Sequence, residues 1–348
     1  MLEDALVLQG LQRGQALRVL DLVAKLLMPV RYGEWLALPL KDKSPCYVRF
    51  QPAGHILGSA YLEIKIQETI VVFSGDLGPS ATPLLPDPVS PRKADFLFLE
   101  STYGDKKHES IKQRSERLLS IINRSLENGG VILIPAFSVG RTQELLFDIE
   151  SLLHSQKLSD RLPIILDSKL ASKVTKAYRQ YRKLWSKEAK NKLHSGRHPL
   201  AFDQCVTVNS YREHQRIVNR LKASGEPAIV IAASGMCTGG RIINYLKTLL
   251  PDKRTDVIFA GYQAEGTLGH SLQAGQCRVA IDGEFVDVNA QIHSMSGYSA
   301  HADVDDLIRF VEGIEVGPNE VHLIHGVPRV KDRFAEVLGK KGFGRVVV

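Results

Sequence analysis

The stretch VILIPAFSVGRTQELLFDIESLL (residues 131–153) decides the fold. An unbroken apolar run, VILIPAF, passes through a Ser-Val-Gly turn into a segment whose apolar residues recur at helical spacing. A strand without polar alternation is covered on both faces, as in parallel sheets flanked by helices. The same alternation runs from about residue 110 to 260. A helix near 112–127 precedes the stretch, and LPIILD (162–167), a basic helix, a helix near 213–223, AIVIAAS (228–234), a helix after Gly239 and DVIFAGYQ (256–263) follow it. This pattern predicts a parallel, doubly covered sheet.

Outside that region the character differs. YVRFQ (47–51), AYLEIKI (60–66), TIVVFSGD (69–76) and DFLFLEST (95–102) are short strands in a meander, and the tail returns to strands in FVDVNAQIHSM (285–295) and EVHLIHG (320–326), separated by the helix VDDLIRFVEG (304–313). The simplest organisation is one domain interrupted by another. Residues 1–30 carry Leu17, Val19, Leu20, Leu22, Val23, Leu26 and Leu27 at helical spacing before Pro29 stops the pattern, which predicts an ordinary packing helix.

The chain has 348 residues, 44% hydrophobic and 24% charged, which excludes disorder, collagen and coiled coil. It lacks an apolar run long enough to span a membrane and opens without a signal-like segment, so a cytoplasmic location is expected. Cys46, Cys205, Cys237 and Cys277 are at least 32 residues apart, which suits neither a disulfide framework nor a cysteine zinc knuckle. Ser168 to His198 holds ten Lys/Arg against the single acid Glu188, a +9 segment in a chain of net charge +7. Its helix KLASKVTKAYRQYRKLW should pack Leu170, Val174, Tyr178, Tyr181 and Trp185 on the domain. Lys169, Lys173, Lys176, Arg179, Arg182 and Lys183 then face either solvent or phosphate, and a polyanion such as RNA or DNA is the partner that fits.

Five polar residues stand at strand ends or tight loops. His55 lies between Gly54 and Ile56, Asp76 between Gly75 and Leu77, Glu100 closes a buried strand, His301 precedes a helix and His325 ends a strand before Gly326. Each has a structural alternative as a turn residue, but a carboxylate such as Glu100 is costly to bury without a cation, metal or imidazole beside it. Histidine with aspartate and no cysteine suits zinc held for hydrolysis. Pairing Glu100 with His301 would orient the ring as a general acid. His322, three residues before His325, points to the other face and reads as structural. Two further segments run strand, glycine turn, arginine, helix: Ser138, Gly140 and Arg141, then Ser234, Gly235, Gly239, Gly240 and Arg241. They predict phosphate cradles, with glycine turns closed by an Arg salt bridge as the alternative. Neither fits a dinucleotide or P-loop pattern.

Taken in order, GHILGSA, SGDLG, ESTYGD, IPAFSVGRTQELL, SGMCTGGR, GYQAEGTLG, SAHAD and LIHG resemble the β-CASP branch of the metallo-β-lactamase superfamily, RNA-processing nucleases similar to the mRNA 3′-end cleavage endonuclease in its bacterial and archaeal form. The resemblance implies an αββα sandwich interrupted by an α/β β-CASP domain with a mainly parallel sheet, divided as 1–105, 106–292 and 293–348. It also implies two zinc ions, His55 on one, Asp76 bridging, His325 on the other, and His301 as general acid beside Glu100. RNA is the implied partner, with Ser138, Arg141, Ser234, Gly235, Arg241 and Ser299 at its phosphates, and a homodimer stays open. The family's HxHxDH signature occurs nowhere in the 348 residues, and Val327 stands where relatives carry an acid after the last His-Gly. The expectation is therefore a zinc-dependent ribonuclease that begins after that motif and holds zinc weakly as written. A catalytically silent RNA-binding or assembly subunit is the alternative. A hydrolase of small esters or lactones is disfavoured by the cassette and by the +9 segment.

Overall fold

The computed structural model describes residues 6, 9–41, 44–158 and 162–348. Two sheets carry the architecture. The first has seven strands in the order β1 (Leu36–Leu38), β2 (Cys46–Pro52), β3 (Ala60–Ile66), β4 (Thr69–Phe73), β5 (Phe96–Glu100), β14 (Glu320–Ile324) and β15 (Arg345–Val347). β1 to β4 form the antiparallel meander, whereas β4, β5, β14 and β15 run parallel, so DFLFLEST, expected as the next meander strand, instead reaches the sheet by a crossover. Glu100 at the end of β5 lies opposite Ile324 at the end of β14, so the chain leaves this sheet and returns beside its point of departure.

The second sheet is built in between. It is wholly parallel, in the order β13 (Gln291–Ser294), β10 (Asp256–Phe259), β6 (Val131–Pro135), β9 (Ala228–Ala232), β7 (Ile164–Asp167) and β8 (Cys205–Thr207). Every residue of β6, β7, β9 and β10 is buried, as the continuous apolar runs require. One face packs Ile132, Ile134 and Ile164 against Leu118, Leu145 and Ile149 of the helices Ile111–Asn128 and Arg141–Ser155. The other packs Leu133 and Val230 against Val218, Tyr245 and Leu246 of Tyr211–Ser224 and Ile242–Leu249. A third core lies under the first sheet, where Val72, Leu97, Leu99 and Val321 meet Leu307, Phe310 and Phe334. Phe334 belongs to the helix Pro328–Lys340, which the sequence pattern did not single out.

Three further expectations need correction. A helix does form at Arg13–Leu26, but it is not a packing helix: only Ala16 is buried, while Leu17, Leu22, Val23, Leu26 and Leu27 are exposed, Leu26 by 83%. Amphipathic spacing shows that a face is apolar without supplying the surface that covers it. The basic helix ends at Gln180, and a 3₁₀ turn, Arg182–Leu184, carries the chain to a separate helix, Lys187–His194. Tyr181, expected in the packing face, is 54% exposed, whereas Tyr178 and Trp185 are buried. FVDVNAQIHSM is two strands, β12 (Glu284–Asp287), paired with β11 (Arg278–Ile281), and β13. Between them Asn289 and Ala290 both donate to the Leu250 carbonyl, which turns the chain from hairpin to sheet.

Candidate active site

β2, β4, β5 and β14 run in the same direction, so their C-terminal ends share one edge of the first sheet. His55 lies in the loop after β2, Asp76 after β4, Glu100 on the last residue of β5 and His325 just past β14. His301 enters from the segment before the helix Val304–Glu312. Asp303 caps that helix by accepting from the amides of Asp305 and Asp306, at 2.9 and 3.0 Å, and a second Asp303 oxygen accepts from His108 N at 2.9 Å, which anchors the turn holding His301.

All five expected residues converge. His55 Nε2 is 3.8 Å from one Asp76 oxygen, and His325 Nδ1 is 3.3 Å from the other. His301 Nδ1 lies 3.1 and 3.3 Å from the two Glu100 oxygens. Ring centroids are 4.6 Å apart for His55 and His301 and 5.6 Å for His301 and His325. Glu100 is fully buried; its oxygens also accept from Leu77 N at 2.5 Å and the Thr102 hydroxyl at 2.7 Å. Burial works to lower the His301 pKa, but the hydrogen bond and charge of Glu100 outweigh it, and the net shift is upward. Burial, aided by the neighbouring His301, lowers that of His55. Neighbouring imidazoles are thus shifted in opposite directions by their surroundings.

The donor set fits a divalent cation. His55 Nδ1 sits 3.0 Å from the Ala300 carbonyl, to which it can only donate, so the Nε2 lone pair faces Asp76. Asp76 presents one oxygen to each of two imidazoles. Two triads, His55 with Asp76 and His301, and Glu100 with His301 and His325, each place their ligand atoms within 4.8 Å of one another. The loop is closed by glycines: Gly54 has φ +73°, and a methyl group at Gly78 would overlap the Gly54 carbonyl.

A cleft of about 960 Å³ opens from His55, His301 and His325 toward the C-terminal ends of β6, β9 and β10 of the second sheet. Of the expected phosphate contacts, Arg141, Gly235 and Ser299 line it. Arg141 is buried, and burial, opposed by Glu144, lowers its pKa to about 10. Ser138 instead meets Ser168, the cap of the basic helix, at 3.0 Å, and Ser234 accepts from Thr238 N at 3.0 Å. Arg241 forms an ion pair with buried Asp167, which also accepts from Tyr245 at 2.6 Å and lies 2.6 Å from His214 Nδ1. The salt-bridge alternative therefore describes Arg241. Lys169, Lys173, Lys176, Arg179, Arg182 and Lys183 are all exposed.

Thr102, Tyr103 and His108 escaped the sequence reading. Thr102 touches both Glu100 and His325, and His108 Nε2 lies 3.0 Å from the His301 carbonyl. Thr102 and Tyr103 sit inside ESTYGD, so the signal was present and read only as a polar turn.

Comparison with known proteins bears on the same residues. The Beta-Casp domain model matches residues 142–272, and the model of the Zn-dependent metallo-hydrolase RNA specificity domain matches 286–348. The chain belongs to the β-CASP family of the metallo-β-lactamase superfamily. Ribonuclease TTHA0252 of Thermus thermophilus is 36% identical over 86% of this β-CASP chain and 66% of its own length. Transcription termination factor FttA of Thermococcus kodakarensis is 34% identical over 87% and 47%, and the RNase J-like protein of Methanocaldococcus jannaschii 33% over 80% and 63%. The chain thus spans between 47% and 66% of these relatives. No helix among the described residues is long and apolar enough to cross a membrane.

Proposed function

We propose that this chain carries the cleft of a zinc-dependent RNA phosphodiester hydrolase, with residues 1–105 and 293–348 as the metallo-β-lactamase domain and 106–292 as the β-CASP insertion. One observation carries the reading: histidines and carboxylates from four separate strand ends meet at the floor of a cleft whose far wall holds a buried guanidinium, Arg141. His55, Asp76 and His325 would hold the metal, which supplies Lewis acidity toward a phosphodiester. Arg141 and the Ser299 hydroxyl would bind the phosphate. His301, whose protonated form Glu100 favours, would deliver its proton to the departing oxygen, a contribution of about 10²–10⁴-fold in rate. The exposed cations of Lys169–Gln180 would add attraction for a polyanion. Named relatives that are a ribonuclease and an RNase J-like protein support the substrate class.

The test is incubation of labelled single-stranded RNA with the protein in zinc or manganese, against chelator. Metal-dependent cleavage lost in Asp76→Asn and slowed in His301→Ala is expected. Three donors for a family site of two ions favour one other reading, an RNA-binding subunit, and RNA bound but uncut in metal would establish it. Absence of both binding and cleavage would refute the RNA assignment.

A further inference from the structure

Phe137 and Tyr262 are large aromatic side chains left 49% and 52% exposed, and both line the cleft that holds His55, His301 and His325. They leave the second sheet at the same edge from neighbouring strands. β6 and β10 pair in parallel with Val257 opposite Leu133, so the residues just past Pro135 and Phe259 emerge side by side. The third strand, β9, is followed by Gly235, where a methyl group would come within 2.9 Å of the Phe137 ring and backbone. Glycine at that position leaves the ring its place at the cleft wall. The rest of the cleft lining combines apolar side chains such as Ile56, Val139 and Met236 with cations, among them Arg141, Arg329 and Arg333.

A half-exposed phenyl ring costs solvation free energy unless something apolar covers it. In a cleft that also holds cations able to meet phosphate, the apolar face that a polyanion can offer is that of a nucleobase. We propose that Phe137 and Tyr262 are specificity-determining residues on which unpaired bases of the RNA stack while its phosphates lie toward Arg141 and the histidines. The proposal rests on RNA as the substrate and narrows it to single strands, because a duplex hides its base faces in its own stack. Stacking of this kind tolerates any base and predicts little sequence preference.

The experiment compares binding, by fluorescence anisotropy in chelator so that no cleavage intervenes, of a single strand of about a dozen adenylates and of an abasic strand of equal length. Wild type should prefer the adenylate strand. Phe137→Ala, Phe137→Leu and Tyr262→Ala should each weaken that strand by about 5- to 150-fold, the range of one base on one ring, and leave the abasic strand unchanged. Phe137→Leu keeps apolar bulk without a π face, and Phe137→Trp should retain wild-type affinity. Equal wild-type affinity for both strands, or variants that bind adenylate as wild type does, overturns the stacking assignment and leaves the RNA reading standing. Wild type that binds neither strand overturns both.

Discussion

Glu100→Gln tests the structural logic of the site without requiring turnover. The Glu100 carboxylate is fully buried and receives three donors: Leu77 N–H at 2.5 Å, the Thr102 hydroxyl at 2.7 Å and His301 Nδ1–H at 3.1 Å. Glutamine keeps one acceptor oxygen and puts an NH₂ group in place of the other. Leu77 N–H can only donate, so the oxygen must stay with it and the NH₂ must face Thr102 and His301. Thr102 can adapt by rotating its proton toward His325 Nδ1, 3.0 Å away. His301 Nδ1–H keeps only the longer contact, 3.3 Å, to the oxygen that stays with Leu77, now a neutral acceptor, unless its proton moves to Nε2. The net loss is that of one or two charge-assisted hydrogen bonds, about 2–3 kcal/mol. His301 also loses the charge that raises its pKa while burial continues to lower it, so the shift changes sign. In wild type the raised His301 pKa adds stability below the unfolded value near 6.5, and that stability fades as pH rises through the folded pKa. In the variant acidification becomes unfavourable, so the destabilisation should be larger at pH 5.5 than at pH 8. Urea unfolding at both pH values, with the His301 tautomer read from imidazole nitrogen shifts, checks this. Equal losses at both pH values would refute the reasoning.

Three further outcomes are expected. Gly78→Ala should cost about 1–3 kcal/mol by overpacking and move the His55 loop, because the added methyl meets the Gly54 carbonyl and lies 2.8 Å from His55 N; an unchanged melting temperature would contradict it. Glu144, on the buried face of the helix Arg141–Ser155, has its pKa raised to about 7 by burial and by Asp148. Its folded pKa exceeds the unfolded one near 4.5, so stability should decline by up to about 3 kcal/mol as pH rises through 7, and Glu144→Gln should flatten that decline in urea midpoints at pH 5.5 and 8. Replacing Lys173, Lys176 and Arg179 by glutamate should weaken RNA binding and reduce the slope of log affinity against log salt by about 2, at about 0.7 for each phosphate no longer neutralised; an unaltered slope would leave that helix a solvated face.

The sheet edge was legible because Asp76, Glu100 and His325 each close or follow a short apolar run bounded by turn residues, and a polar side chain at such an end is conspicuous. His55, Asp76, Glu100 and His325 mark the ends of strands that run in one direction, which the expected meander did not imply: it would have set DFLFLEST antiparallel to TIVVFSGD and Glu100 at the opposite edge from Asp76. What the pattern could not carry were partners supplied from far away in the chain. Arg141 and Arg241 occupy the same strand–glycine–arginine–helix pattern, yet one lines the cleft and the other is held by Asp167, 74 residues earlier on β7. The Ala300 carbonyl, which sets the His55 ring, is a backbone group and leaves no mark on residue identity. The helix Arg13–Leu26 shows the same limit from the other side: its apolar face was correctly read, and nothing in its periodicity states whether a surface exists to receive it. Phe137 belongs with these cases. As the last aromatic of an apolar run it reads as core, and only the end of β6 at Pro135, two residues before it, turns the ring out of the sheet and into the cleft. Where a strand stops therefore decides whether its next side chain stabilises the fold or meets a ligand, and that boundary is the least legible feature of a sequence.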